Sequence, residues 1–406
     1  MSGALINLAA IGPQDGFLTG NPEATLFKKP YKRVTPHARQ HVAVNFSGTP
    51  DFGKEVTATI PRNGDLVHRM YVQINLPALT GSGTQAWVPN IGNVMIDYVE
   101  VEIGANRVDK HYGQWLHIWG ELTESASKEN TYNVMIGNTS ALNTEAASIA
   151  ATTLYVPLRF WFNREIGLAL PLIALQYNEV KIKVKFRPFS EVHVSSSGTV
   201  TTPSLTDAKI LAEYIYLDVD ERRKFAQTAH EYLIDQLQFT GAESFSQTSI
   251  NPRLNFNHPC KALYWVAQLD SNVQTVAAAG GNANRWTDFT DNGTGPNPYE
   301  GDDPLVSGKI QLNGNDRFDV SEARYFNLVQ PYQHHTRGPA TGIYMYSFAD
   351  EPEEHQPTGT LNMSRIDVVN LSLTLSSSAA TKLYVYATNY NVFRIMSGMG
   401  VIHYSS

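Results

Sequence analysis

Four cations stand within seven residues near the start of the chain, at Lys28, Lys29, Lys32 and Arg33. Ammonium and guanidinium groups at this density can bind acidic proteins, lipid headgroups or nucleic-acid phosphates. The same run is also typical of a solvated strand edge, where lysine discourages unwanted strand pairing. We favour the strand edge from these residues alone, and contact with an acidic partner stays open.

A second chemical feature is the N-x-Ser/Thr pattern of N-glycosylation. It occurs at Asn45, Asn138, Asn292, Asn362 and Asn370. The N-terminal stretch lacks a basic start before its apolar part and is interrupted by Gly and Pro, so no secretory signal is expected. The pattern therefore marks candidate positions only.

Sequence signatures of catalytic sites do not occur. The chain has no G-x-x-x-x-G-K-[ST], no G-x-G-x-x-G after a strand, no G-x-S-x-G and no H-E-x-x-H. Its single thiol, Cys260, lies in a predicted strand and is interpreted as a small buried hydrophobe. We predict a protein without catalytic residues or cofactors, although carboxylate pairs for glycoside hydrolysis stay open because the fold sets their separation.

Metal ligation is not expected either. His334 and His335 are adjacent and should point apart, and the histidines form no H-x-H cluster. The acidic residues Glu300, Asp302 and Asp303 could ligate calcium, but they lack the spacing of an EF-hand loop. We interpret them as part of a solvated loop.

Composition narrows the possible classes of protein further. The 406 residues carry a net charge of -7, which argues against a protein that coats nucleic acid, so no direct nucleic-acid binding is expected. Charged residues make up 17%, below the roughly 25% of an average soluble domain. A single cysteine excludes an intrachain disulfide, and the longest apolar run has 10 residues, too few to span a bilayer. We predict a soluble chain with large uncharged polar or mutually buried surfaces.

The elements that must position these residues are predicted to be strands. Val369, Leu371, Leu373 and Leu375 alternate with polar residues, as in a half-buried strand. A second, aromatic strand follows at 382–390 after a short polar loop, so the two are expected to be antiparallel neighbours. The stretch IPRNGDLV is expected to form a hairpin in the same way.

Three sequence matches in the same order indicate an internal duplication. YNEVKIKVKF matches IDVVNLSLTL at an offset of 189, and AKILAEYIYL matches TKLYVYATNY at an offset of 173. VEIGANRVD, which ends at Asp109, matches IQLNGNDRFD, which ends at Asp319, once Asp316 is treated as an insertion. We therefore predict an all-β protein of two tandem sandwiches. The predicted divisions are an N-terminal arm over 1–24, sandwiches over 25–218 and 230–406, and a linker over 219–229.

The connections carry further expectations. A lone histidine, His68, on an apolar strand face is expected to be a hydrogen-bonded core residue. HYGQWLHIWGELTES could form a short helix or a wide loop, and DERRKFAQ one or two helical turns. Residues 125–153 are expected to form a long excursion, where recognition surfaces are often placed.

Seven blocks of sequence, in family order and spanning nearly the whole chain, resemble the major capsid proteins of the nucleocytoplasmic large DNA viruses. They are LTGNPEATLFKKPYKR, IPRNGDLVHRMYVQINLP, VEVEIGANRVDKHYGQWL, LDVDERRKFAQTAHEYLIDQLQ, NHPCKALYWVAQ, PTGTLNMSRID and YNVFRIMSGMG.

The resemblance implies a double jelly roll, two tandem eight-stranded sandwiches with short helices in the loops. It implies a homotrimer whose three chains join head to tail into a pseudo-hexameric capsomer that tiles an icosahedral shell. The implied partners are copies of the chain, neighbouring capsomers, minor capsid proteins and an internal viral membrane, the last two through the N-terminal arm and the cations at 28–33. The implied location is the virion capsid, after assembly in the host cytoplasm.

Two other functions stay open. Lectins and glycoside hydrolases also use jelly rolls, so a carbohydrate-binding or carbohydrate-cleaving sandwich is an alternative. A minor or vertex virion protein could also use tandem sandwiches. Oligomeric mass, sugar affinity and copy number in the particle separate these functions.

Overall fold

Strands dominate the computed structural model, which describes residues 2–195, 201–273, 284–291 and 301–404. The strands of the first half are β1 His37–Asn45, β2 Glu55–Thr59, β3 Leu66–Leu76, β4 Leu79–Trp87, β5 Ile96–Ile103, β6 Asn106–Tyr112, β7 Ala146–Ile149, β8 Thr152–Pro157, β9 Leu170–Pro171, β10 Val180–Phe186, β11 His193–Ser195 and β12 Asp207–Leu217.

The second half has its own set of strands. They are β13 His230–Phe239, β14 Glu243–Phe245, β15 Ser249–Ile250, β16 Arg253–Leu254, β17 Pro259–Leu269, β18 Leu305–Leu312, β19 Asn315–Asp316, β20 Ser321–Glu322, β21 Ile343–Ser347, β22 Leu361–Asn362, β23 Val369–Leu375, β24 Thr381–Met396 and β25 Met399–Ile402.

Helices are short and lie in the connections. The α-helices are α1 Gly3–Ala9, α2 Gly16–Thr19, α3 Ile91–Met95, α4 Gly113–Thr123, α5 Glu129–Ile136, α6 Ser140–Asn143, α7 Trp161–Arg164, α8 Phe189–Val192, α9 Val219–Gln227 and α10 Gln330–His334. A π-helical segment, Tyr325–Val329, leads directly into α10, and single 3-10 turns occur at Ile166–Leu168, Asp270–Val273 and Met363–Arg365. No helix within the described ranges has both the length and the apolar character needed to cross a bilayer.

The sheets confirm the predicted duplication. In the first sandwich one sheet has the order β1-β12-β3-β8 and the other β2-β10-β5-β6. In the second sandwich the corresponding orders are β13-β24-β17-β21 and β15-β23-β18-β19. Each sandwich thus has eight main strands in the same arrangement, the jelly roll, and β10 and β12 occupy the positions of β23 and β24.

Matching turns support the same correspondence. The β5–β6 hairpin turns at Gly104 and Ala105, with φ of 59° and 70°. The β18–β19 hairpin turns at Asn313 and Gly314, with φ of 49° and 83°. Positive φ at both central residues is the type I′ geometry, whose twist matches that of the flanking strands.

Apolar residues alternate along the strands and are buried in the cores of the two sandwiches, as predicted. Val369, Leu371, Leu373 and Leu375 are all buried in the core of the second sandwich. In the first sandwich the inward face of β3 includes His68, whose Nδ1 lies 2.6 Å from the carbonyl oxygen of Phe162. Burial lowers the pKa of His68, so this residue is the neutral, hydrogen-bonded core histidine that the sequence predicts.

The two expected strand pairings are wrong. β23 pairs with β18, whereas β24 pairs with β13 and β17 in the opposite sheet. β2 pairs with β10, whereas β3 pairs with β12 and β8. A loop of a few residues can span the roughly 10 Å between packed sheets, so a short connection does not by itself require a hairpin.

Two other connections are now assigned. The segment expected as a long excursion, 125–153, contains α5, α6 and β7 and so is largely folded. The charged stretch DERRKFAQ is helical within α9, as predicted, and Arg222 Nε lies 3.0 Å from Asp65 Oδ1 of the first sandwich.

The residues up to His37 form a compact unit distinct from the rest of the chain. It contains α1 and α2, which bury none of their residues.

Candidate functional site: the joint between the two sandwiches

Helix α4 lies between the two sandwiches and turns an apolar face toward the second one, beside Gln114, whose Nε2 donates to Gln268 Oε1 at 3.3 Å. Trp115, Ile118, Trp119 and Leu122 follow the i, i+3, i+4, i+7 spacing of a single helical face, and all four are buried. They form one cluster with residues of β17, β21 and β24, namely Ala262, Tyr264, Val266, Ile343, Met345 and Tyr386. We call this contact the joint.

Aromatic side chains pack against one another across the joint. The ring of Trp115 lies 5.1 Å from that of Tyr264 in an edge-to-face arrangement and 5.5 Å from that of Tyr386. Trp119 lies 6.1 Å from the ring of His335, also edge to face. Aromatic pairs in this geometry stabilise by about 0.5–1.5 kcal/mol beyond their buried area.

Hydrogen bonds fix the register of the joint at the edge of each sheet. The carboxylate of Asp109 on β6 accepts the backbone N–H of Leu237 on β13 at 3.1 Å. Gln236 Nε2 donates to the carbonyl of Val108 at 2.5 Å. The edge strands β6 and β13 are therefore tied by side chains rather than by a continuous strand ladder.

A charged group at the joint is almost completely buried. Asp235 Oδ2 on β13 contacts the guanidinium of Arg164, from the first sandwich, and lies 3.4 Å from Lys261 Nζ on β17. The Lys261 side chain is 1% exposed and donates to the carbonyl of Glu354 at 2.9 Å. Burial lowers the pKa of Lys261 to about 8, since Asp235, which favours the charged form, only partly offsets burial and the nearby Arg164 charge.

Residues 284–291 form a second connection between the sandwiches. Asn284 Nδ2 donates to the carbonyls of Ser190 and His193 at 2.7 and 2.9 Å. Trp286 Nε1 donates to the carbonyl of Glu191 at 2.8 Å, and the Arg187 guanidinium lies 3.9 Å from the Trp286 ring centroid. A loop of the second sandwich is thereby anchored to the first.

The predicted cationic residues do not belong to a strand. Lys28, Lys29, Lys32 and Arg33 are exposed, and the described chain forms no strand before His37. The favoured strand-edge interpretation is therefore wrong. Pro30 and Pro36 explain this, because proline lacks the N–H that a strand ladder needs.

The candidate glycosylation positions are scattered over the surface. Asn45 and Asn362 are exposed, whereas Asn138 and Asn370 are half-buried. Asn138 Oδ1 also accepts a hydrogen bond from Asn143 at 2.9 Å. Asn292 lies outside the described residues.

The other candidate chemistry is accounted for by packing and hydrogen bonds. Cys260 is fully buried, and burial raises the pKa of its thiol, as the hydrophobe interpretation predicts. His334 and His335 point to different partners, the carbonyl of Asp350 and the carboxylate of Glu353. Within the described ranges no three His, Cys, Asp or Glu side chains are grouped to hold a metal ion.

The remaining members of the predicted acidic cluster have structural contacts. Asp303 accepts a hydrogen bond from the Tyr344 hydroxyl. The backbone of Asp302 pairs with that of Asp291. Glu300 lies outside the described residues.

Comparison with known proteins decides the family. A family model described as the large eukaryotic DNA virus major capsid protein matches residues 221–401, and one described as the major capsid protein N-terminus matches residues 25–218. The major capsid protein of Pyramimonas orientalis virus is 45% identical, and that of Phaeocystis pouchetii virus 40% identical, each across 100% of both chains. The chain belongs to the major capsid proteins of large eukaryotic DNA viruses.

Solved structures agree with this family. The crystal structure of VP54 of PBCV-1, fitted into a reconstruction of the virophage Sputnik, has a TM-score of 0.81 and 36% identity, and the match covers 94% of this chain and 100% of that chain. The Faustovirus major capsid protein has a TM-score of 0.80 at 13% identity, over 97% and 96%, and shows the fold alone.

The joint is thus part of a capsid protein, a structural component of the virion that assembles with copies of itself into the capsid lattice. The relatives are structural major capsid proteins, which confirms the prediction that the chain is not an enzyme and disfavours the carbohydrate alternative.

The joint was not predicted from the sequence. The spacing of Trp115, Ile118, Trp119 and Leu122 is the signal that indicates a buried helix there. The group of Arg164, Asp235 and Lys261 has no comparable signal, because its members are far apart in the chain.

Proposed function

We propose that three copies of this capsid protein join head to tail about a threefold axis into a capsomer with a nearly hexagonal outline. The observation that supports this is the repeated strand order of two sandwiches held together by one buried joint. Three chains then present six similar sandwiches, and a heterologous contact that closes after three chains gives a ring rather than a filament. Hexagonal outlines tile the faces of a shell.

Rigidity of the joint supports this role. A flexible link between the sandwiches would allow many ring sizes, whereas a fixed angle selects one. The buried aromatic cluster, the Arg164–Asp235 ion pair and the loop 284–291 each restrain that angle at a different place. The division of the chain that fits this function is a first sandwich over 25–218, a linker over 219–229 and a second sandwich over 230–406.

The N-terminal arm over 1–24, with the following cations Lys28, Lys29, Lys32 and Arg33, is proposed to face the inner side of the shell. Exposed cations beside the exposed Phe27 and Tyr31 suit contact with minor capsid proteins or with an internal viral membrane. Assembly in the host cytoplasm suits a chain with no disulfide to form. The overall charge of -7 disfavours direct binding to the viral genome.

Glycan attachment is proposed at Asn45 and Asn362, since a transferase must reach the acceptor amide and both residues are exposed. Glycopeptide mass spectrometry of protein isolated from virions tests this. Unmodified peptides covering both residues would refute it.

Native mass measurement tests the proposed capsomer. A trimer of 45.0 kDa chains has a mass of 135 kDa, and electron microscopy of the same sample should show particles with a hexagonal outline. A stable monomer at the concentrations used for imaging, or a ring of another size, would overturn the proposal.

A further inference from the structure

A helix follows β6 in the first sandwich, and a helical segment follows β19 and the short β20 in the second. The two helices correspond residue by residue in the sequence. The match between Asp109 and Asp319 extends without a gap at the same spacing of 210 residues. The four residues with which α4 forms the joint therefore have counterparts in the helical segment 325–334. Trp115, Ile118, Trp119 and Leu122 correspond to Tyr325, Leu328, Val329 and Tyr332.

The inner sides of the two helices show that this correspondence is structural. Leu116 lies in the core of the first sandwich and its counterpart Phe326 in the core of the second. The next residues, His117 and Asn327, are also both buried. The two helices thus rest on their own sandwiches in the same orientation.

Their outer sides differ. The outer face of α4 is buried in the joint, whereas Leu328, Val329 and Tyr332 are 54%, 40% and 87% exposed. Asp109 accepts a backbone N–H of the edge strand β13, whereas its counterpart Asp319 is exposed. The second sandwich thus exposes to solvent a counterpart of the helical side of the joint, which we call the donor half.

The first sandwich exposes a counterpart of the strand side of the joint, the face that receives the helix, which we call the acceptor half. Ala212 on β12 pairs with Met70, and its counterpart Val385 on β24 pairs with Trp265. The outward neighbours of Met70 and Trp265 therefore also correspond, so that Arg69 takes the place of Tyr264 and Tyr71 that of Val266. Arg69 and Tyr71 line a surface groove of about 500 Å³.

We propose that the helical segment 325–334 of one chain packs onto the β3–β8 face of the first sandwich of a second copy, which repeats the joint between chains. This inference rests on the proposed head-to-tail trimer and names the surfaces that close it. In the joint the rings of Trp119 and Tyr264 are 6.3 Å apart, so Val329 should lie beside Arg69 of the second copy. Tyr325, the counterpart of Trp115, is half-buried against the core of the second sandwich, so the exposed Leu328, Val329 and Tyr332 carry the contact.

The partner that binds the exposed helix is a second copy of the chain. The helix and the β3–β8 face correspond to the two sides of a contact that the chain already makes within itself. Asp319 would accept a backbone N–H from β1 of the second copy, since β1 occupies the edge position that β13 holds in the joint. An arginine in place of Tyr264 makes this acceptor face more polar than that of the joint. Contacts between chains that fold separately are typically more polar than permanent ones.

Mutation of the donor helix tests the proposal. Leu328→Asp places a charge in the contact and should leave the full-length chain at 45.0 kDa in native mass measurements, under conditions where the wild type is a trimer. Val401→Asp is the matched control, since Val401 is similarly exposed, at 53%, but lies on β25, which pairs with β24, and this variant should stay trimeric. Unchanged circular dichroism and thermal midpoint show that each variant folds.

Cross-linking gives a second, direct test. Val329→Cys on one chain and Arg69→Cys on another, mixed during assembly, should be joined by a short bismaleimide, because the native Cys260 is buried. Val401→Cys mixed with Arg69→Cys should not be joined, since Val401 lies on β25. A trimeric Leu328→Asp variant, or no cross-link in an otherwise normal trimer, would overturn this inference alone, whereas a monomeric wild type would overturn the proposed capsomer itself.

Discussion

The buried charges at the joint allow a test in which substitutions at two residues of the same charged cluster have opposite effects on stability. Asp235 is contacted by both Arg164 and Lys261. Asp235→Asn leaves two cations at the joint without a carboxylate, and losing one partner of a buried ion pair typically costs about 3–5 kcal/mol. Lys261→Met removes the more deeply buried cation and leaves Asp235 with Arg164, so it should be neutral or stabilising near pH 7.

The lowered pKa of Lys261 sets the size and the sign of the pH effect. The drop from 10.5 to about 8 corresponds to about 3 kcal/mol, since each tenfold change in protonation is worth about 1.4 kcal/mol. Below the folded-state pKa of about 8 both the folded and unfolded chains carry the proton, and the folded chain bears the whole cost of burying the charge. As the pH rises toward 10.5, the unfolded chain binds a proton that the folded chain lacks, so the free energy of unfolding rises.

Urea unfolding of the wild type and both variants between pH 7 and pH 10.5, followed by tryptophan fluorescence, measures this effect. The wild type should gain about 3 kcal/mol relative to Lys261→Met across that range, in which all other groups titrate equally in both proteins. Asp220→Asn, at an exposed carboxylate, is the control for Asp235→Asn and should leave the unfolding midpoint unchanged. A pH-independent difference between wild type and Lys261→Met would refute the reasoning.

Three further predictions concern packing, the thiol and a turn. Trp119→Ala should lower the free energy of unfolding by about 3–5 kcal/mol in urea titrations, because it leaves a cavity in the joint, whereas Val219→Ala at an exposed position should have no measurable effect. Cys260 should fail to react with an aromatic disulfide reagent in the folded protein and react fully after unfolding, and rapid native labelling would contradict its burial. Gly314→Val should cost about 1–2 kcal/mol in calorimetry because φ there is 83°, whereas Gly338→Val, at an open position without positive φ, should cost less; equal losses would refute the strain argument.

Much of the fold could be predicted from the sequence because burial of one sheet face leaves a period of two. Val180, Ile182, Val184 and Phe186 are buried as this period requires, and so are their counterparts on β23. The pairing of β23 with β24 could not be predicted in this way. Each strand has one buried face whether its partner lies beside it or across the core, so the hydrophobic pattern is the same in both cases.

The joint was harder to predict for a different physical reason. Trp115 and Trp119 read equally well as residues of a core or of a contact between domains, since both environments exclude water. The triad of Arg164, Asp235 and Lys261 is assembled by three separate elements, and only the fold reveals it. The cations at 28–33 show the opposite limit, because their charge is evident in the sequence but what they contact is not.

The duplicated helices also show how one sequence pattern can serve two stages of assembly. The joint within the chain forms between tethered sandwiches, so its helix can present Trp115 and Trp119, which would be exposed only until the chain has folded. The helix proposed to join chains must remain in solvent until assembly, and at the positions of Trp115 and Trp119 it carries the half-buried Tyr325 and the smaller Val329 instead. The exchange of tryptophan for these residues at matched positions is what the physics of the two contacts requires. Introducing tryptophan at position 329 should therefore strengthen the trimer and raise the aggregation of unassembled chains, both measurable by light scattering at graded concentration, and a variant that does neither would contradict this account.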